Sequence, residues 1–315
     1  MALATAPDLI QVDVHALGSL ADTLAGADLV SPDWRMPVYP ASDDATFVQF
    51  IGIQNALNFC FADPVTGAKY GGEYQGTAWG GATGLCAALL RAIDEGRDLG
   101  NMEILRFLRI DDVAAIFRSD DAPLPLLAER TALLTSLPGS LVNYDGSFAS
   151  LVEDCGFDAG ALVDRLVGEF PAYAGDQWLH PVTKELCVFD KRARLFALMY
   201  EGRARASSGA MRCLSNLEAV GPPVDYQLPR ALRFEGVLSY SPALAEAVDN
   251  GNLLVAGSIE ELAIRATTEN VIVALLELIN ERLAEPISMV ELDFALWVAG
   301  RKAGGRPHLC LTTAY

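Results

Sequence analysis

Val220-Gly-Pro-Pro-Val-Asp-Tyr-Gln-Leu-Pro-Arg230 sets three prolines and one glycine within eleven residues. Proline lacks the backbone N–H and clashes with the preceding turn, so the stretch reads as a break that no helix runs through. Helical patterns lie on both sides, ending near Arg205 and resuming near Pro242, so the break divides a mostly helical chain. Asp225 and Tyr226 stand in its middle, with Pro223 and Pro229 restricting the backbone on either side. A carboxylate on a stiff non-helical segment suits chemistry that needs fixed geometry. The residues alone leave a second reading open, a proline-rich connector whose aspartate faces water.

Outward from the break, the strongest helix signal runs from Thr46 to Phe61, with Ser42-Asp43-Asp44 offering its N-cap. Phe47, Phe50, Ile51, Ile53, Leu57 and Phe61 make it apolar nearly all round, which predicts burial. Asn55 and Asn58 lie three apart on one face, and a buried amide needs a partner, either a neighbouring helix or a ligand. Lys69 to Gly76 predicts a hairpin arm, and Thr77-Ala-Trp-Gly-Gly-Ala-Thr-Gly-Leu85 leads into a helix that stops at Gly96. Its glycines match neither phosphate-loop spacing, so close packing is the better account, with Trp79 a candidate stacking surface.

Helical spacing also marks residues 8–30, 101–118 in two pieces (the second capped by Asp111), 126–137 and 158–169. It returns over 190–200, 242–249, 258–266, 267–283 and 288–300, with a short strand pair inside 177–188 and an extended tail from Arg306 to Tyr315. Lys191 and Arg192 open the helix at Asp190, where cations oppose the helix dipole. That misfit suits either a solvated face or a helix start that receives a phosphate. With no internal repeat and no clear linker, residues 1–315 are expected to form a single, mainly α-helical domain with small β additions.

The charge balance bears on partners. Forty-one acidic residues face 23 basic ones, for a net charge of −18, and no basic block stands out. Polynucleotide binding needs a cationic footprint, so it is disfavoured, while a single phosphate in a local pocket is not. No apolar stretch approaches the roughly 18 residues that would span a bilayer, and the N-terminus lacks a basic region before an apolar run. The expectation is a soluble, cytoplasmic protein without a membrane partner. Six cysteines without a C-x-x-C pair read as buried free thiols, and three scattered histidines argue against a metal centre.

Several blocks in one order resemble the queuosine salvage family, the queuosine 5′-phosphate N-glycosylase/hydrolase proteins. They include Asn55-Ala-Leu-Asn-Phe-Cys-Phe61, Leu85 to Gly96, Phe189-Asp-Lys-Arg-Ala-Arg194, Asp225-Tyr-Gln-Leu-Pro229, Leu292-Asp-Phe-Ala-Leu-Trp297 and the terminal Tyr315. The resemblance implies a helical fold similar to helix-hairpin-helix DNA glycosylases. It implies release of queuine, a modified 7-deazaguanine base, from queuosine 5′-phosphate for reuse in tRNA modification, with neither cofactor nor metal. It further implies Asp225 as the catalytic carboxylate, and Lys191 and less surely Arg192 as the phosphate-holding cations. Asn58, Phe61, Trp79, Trp178 and Tyr226 become candidates for base and sugar contacts, and Tyr315 for closing the pocket. Arg265, Asp293 and Trp297 are expected to form a structural network around the tail. Met36, Ala62 and Met199 depart from the family, standing where histidine, tryptophan and aspartate are usual. Those departures keep open an N-ribohydrolase for another purine-like nucleotide and a non-catalytic nucleotide-binding relative.

Overall fold

The computed structural model describes residues 5–315; residues 1–4, part of the N-terminal stretch read above for a leader, lie outside the described residues. The helix without a polar face is Ala45–Ala56, started by the Asp44 carboxylate, which accepts a hydrogen bond from the Thr46 N–H at 2.8 Å. Phe47 through Ala56 are buried there, apart from Gln49. This helix packs on Lys191–Ala206, whose Phe196, Met199 and Tyr200 are also buried. A third long helix, Ile259–Asn280, contributes Ile264, Val271, Ile272 and Leu275 to the same core. Each fully buried aliphatic or aromatic side chain of this kind stabilises by about 1.5–3 kcal/mol relative to exposure. The buried apolar cluster runs through the chain from Ile10 to Leu296.

Among the described residues there are thirteen α-helices and four two-stranded pairings. Ile10–Val12 pairs antiparallel with Leu238–Tyr240, Ile10 opposite Tyr240. Two hairpins stand where expected, Gly71–Tyr74 with Thr77–Gly80 and Gln177–Leu179 with Leu186–Val188. Leu253–Leu254 runs parallel to Leu309–Cys310, the only strand residues of the tail, and Tyr315 beyond them is buried. Of the glycines after Thr77, Gly84 serves close packing, whereas Gly80 has open space beside it and Gly81 supplies a positive φ of 61°. A Cβ on Gly84 would lie 2.6 Å from the Trp79 carbonyl oxygen, and one on Gly72 would lie 2.5 Å from that of Gly84.

Several expectations shift. The first helix is shorter, Val14–Ala25, and the pair expected over 258–283 is one continuous helix, Ile259–Asn280. Arg109, not Asp111, caps Ile110–Ile116, with the Asp112 carboxylate returning to the Arg109 N–H. Cys213 is exposed, whereas Cys60, Cys86 and Cys155 are buried thiols. The proline break is also shorter than expected, because a helix begins at Gln227 and runs to Phe234. Pro229 falls in its first turn, where a missing N–H costs no helical hydrogen bond. No helix among the described residues is long and apolar enough to cross a membrane.

Four arginines, Arg130, Arg192, Arg203 and Arg265, are fully buried. Three of them bind loop carbonyls. Arg130 donates to the carbonyls of Leu57, Phe59, Cys60 and Pro125, and Arg192 to those of Ala56, Ala172 and Ala174. Arg203 donates to the carbonyls of Asp33, Trp34, Pro40 and Ser42. Buried carbonyls outside helices and strands need such donors, and the planar guanidinium serves several at once.

Candidate active site

The end of Ala45–Ala56, the start of Lys191–Ala206, the Pro223–Gln227 turn, the helix Met289–Lys302 and the tail converge on one cavity of about 270 Å³. Asn58, Phe61, Lys191, Asp225, Tyr226, Asp293 and Tyr315 all line it. Asp225 is fixed from behind: its Oδ1 accepts the backbone N–H groups of Gln227 at 2.7 Å and Leu228 at 3.3 Å, capping the Gln227–Phe234 helix. Its Oδ2 takes no part in that cap.

The Lys191 side chain is buried, and its Nζ donates to the Asn58 carbonyl at 2.9 Å. Asn58 in turn donates to Asn55 Oδ1 at 3.4 Å, and Asn55 Nδ2 to the Ile51 carbonyl and to Met199 Sδ. The helix start beneath Lys191 is already capped, since Asp176 Oδ2 accepts the Lys191 N–H at 3.0 Å. An anion in this cavity would therefore meet the Lys191 ammonium, not the bare helix terminus.

Burial lowers the Lys191 ammonium to about 8, against the pull of Asp225 and Asp293. Burial raises Asp225, with the nearby Lys191 charge and the Gln227 and Leu228 N–H groups opposing it. Asp293 is pushed well above the usual carboxylate range, by burial first and by the Asp225 charge second. Burial and mutual repulsion thus push the Asp293 carboxyl up, and burial pushes up Asp225, while the Lys191 charge opposes both shifts. For Asp293 the folded value exceeds the unfolded one. Its stabilising contribution is then complete below the unfolded value, near pH 4, and is lost as pH rises through the folded value. Asp293→Asn is expected to raise the melting temperature at pH 7 and to flatten that pH dependence in thermal unfolding scans.

Three candidates lie elsewhere. Arg192 holds carbonyls, as described, and does not reach the cavity. Trp178 packs on Gly257, where a Cβ would lie 2.4 Å from its ring, and Trp79 stands on the hairpin outside the cavity wall. Trp34, Phe294 and Trp297 add ring surface to that of Phe61, Tyr226 and Tyr315 in the wall. Trp34 meets Phe294 edge-on at 5.5 Å, and Phe294 stacks with Trp297 at 6.3 Å. Trp34 holds a left-handed backbone, φ 54°, a conformation that non-glycine residues adopt where surrounding structure imposes it.

The sequence profile described as queuosine salvage protein matches residues 38–310. The chain belongs to the queuosine salvage family. It is 29% identical over 304 residues to a Sphaerobacter thermophilus protein named queuosine 5′-phosphate N-glycosylase/hydrolase, covering 95% of this chain and 90% of that one. A Mus musculus protein of the same name is 29% identical over 279 residues, covering 84% and 79%. A Schizosaccharomyces pombe protein, again so named, is 24% identical over 272 residues, covering 82% and 76%. In this queuosine salvage chain Met36, Ala62 and Met199, read above as departures from the family, all line the cavity. Asp293, assigned above to a tail network, lines it too. A carboxylate between Leu292 and Leu296 on a buried helical face was the signal available for it. Trp34 carries no such signal, because its loop shows only proline punctuation.

Proposed function

We propose that this protein hydrolyses the N-glycosidic bond of queuosine 5′-phosphate, releasing queuine for salvage into tRNA modification. The observation that carries the reading is the meeting of Asp225, Asp293 and Lys191, all buried, around one cavity. The relatives named above carry the same activity in their names. Cleavage passes through an oxocarbenium-like sugar, which the Asp225 carboxylate stabilises while orienting the attacking water. Water supplies hydroxyl to the sugar carbon and a proton to the departing ring nitrogen, giving ribose 5-phosphate and queuine. A 7-deaza base has carbon where purines have N7, so protonation there is not available and the cationic sugar needs more stabilisation. Asp293 serves as the neutral hydrogen-bond donor beside Asp225. Lys191, with two N–H groups beyond its bond to Asn58, holds the 5′-phosphate. Asn58, Phe61 and Tyr226 contact base and sugar, and Tyr315 closes the wall.

The cavity is near the lower end of the roughly 300–1,000 Å³ of small-molecule sites, which supports a mononucleotide over a polynucleotide. The continuous buried cluster supports one domain, and its helical make-up is compatible with a fold similar to helix-hairpin-helix DNA glycosylases. Met36, Ala62 and Met199 in the cavity favour, as second reading, a ribohydrolase for another purine-like nucleotide.

Incubation with queuosine 5′-phosphate, queuosine and ordinary purine 5′-phosphates, followed by chromatography, tests the assignment. Queuine released from the phosphorylated nucleotide is expected. Release of a different base would establish the second reading, and binding without release a non-catalytic relative. Lys191→Ala is expected to lose on the order of tenfold or more in kcat/KM for the nucleotide and far less for the nucleoside. An equal loss on both would exclude a phosphate role.

A further inference from the structure

Gln54 lies in the last turn of the buried helix and Asn58 just beyond its end, and both line the cavity. Gln54 and Met199 are each only 1% exposed, so this part of the wall is closed off from bulk water. The other amides of this helix and its following turn are engaged. Gln49 donates to the Gly146 carbonyl and accepts the Phe148 N–H, and Asn55 and Asn58 bond each other. Gln54 Oε1 is buried with no hydrogen-bond partner. A buried acceptor without a donor weakens the fold, and a leucine of similar volume would not carry that penalty.

We propose that Gln54 reads the hydrogen-bonding edge of the nucleobase, its Oε1 accepting an N–H from a guanine-type edge at this closed part of the wall. Such an edge presents a ring N–H and an exocyclic amino group beside a carbonyl oxygen, and it needs an acceptor that water cannot easily replace. Trp34, Phe294 and Trp297 offer ring faces in the same cavity, so the base is read by its edge and held by its plane. Like the proposed function on which it rests, the pairing requires a base in the cavity.

Calorimetric binding of free 7-deazaguanine and of 7-deazapurine, the same bicycle without exocyclic groups, tests it without turnover. The unmodified protein is expected to prefer 7-deazaguanine by about tenfold or more, and Gln54→Leu to bring the two within about threefold. The melting temperature of Gln54→Leu is expected to stay level or rise. A preference that persists in Gln54→Leu, or is missing from the unmodified protein, overturns the assignment. So does a fall in melting temperature with equal losses on both bases, which is the signature of a structural amide. Hydrolysis of queuosine 5′-phosphate without the base preference would sink the Gln54 role alone. The base preference without hydrolysis would sink the proposed reaction alone.

Discussion

Asp225→Asn is expected to lower kcat/KM for base release by on the order of 10³-fold or more while leaving the protein folded. Asparagine keeps the side-chain oxygen that accepts the Gln227 and Leu228 N–H groups, so the helix that starts there keeps its cap. The variant removes the negative charge that faces the cavity beside Lys191. The rate of the unmodified protein should rise with pH through a value above the usual carboxylate range, as Asp225 ionises. It should fall again near pH 8, where Lys191 loses its proton. The residual rate of Asp225→Asn should lack the acid limb. Near-normal hydrolysis by this variant would remove Asp225 from the mechanism.

The second large effect is on stability. Arg265→Ala is expected to cost about 3–5 kcal/mol in denaturant unfolding, the range for breaking a buried ion pair by removing one partner. Arg265 meets Asp176 with two parallel contacts, 2.6 and 2.8 Å, and both side chains are buried. It also donates to the Val224 carbonyl at 3.2 Å, one residue before Asp225, and lies over the Phe189 and Tyr315 rings at 4.0 and 4.2 Å. Asp176 meanwhile caps Lys191. One guanidinium thus ties together the backbone of both proposed site residues and the tail, so loss of stability and loss of activity should arrive together. Arg265→Lys should recover little, since an ammonium cannot serve two carboxylate oxygens and a carbonyl in one plane. A loss below about 1 kcal/mol would show that Asp176 finds another partner.

Much of the helix order is legible in the sequence, because an element apolar on all sides has one stable place. Ala45–Ala56 is the clearest case. Asp225 is legible for a related reason, since proline on both sides leaves few conformations. Lys191 and Arg192 are the pair whose separate fates the sequence does not show. A basic pair at a helix start resembles a solvated turn, and nothing local reveals that Asp176, fifteen residues earlier, supplies the cap. Burial of the two then sends them apart, one to the cavity and one to carbonyls. Gln54, Trp34 and Asp293 become visible only when separate helices and loops meet around a shared space. Each is ordinary beside its sequence neighbours and unusual only among its spatial ones.

The buried arginines that grip loop carbonyls have a consequence for how a ligand enters. The segments at 33–42, 57–60 and 172–174 are non-repetitive, yet buried guanidinium groups hold their carbonyls. Little freedom remains for a ligand to remove, so binding incurs a small ordering cost. Free and occupied forms should superimpose closely along these segments. Adaptation to a different base would then have to proceed by exchanging wall side chains such as Met36, Ala62 and Met199, within a rim whose contour stays constant.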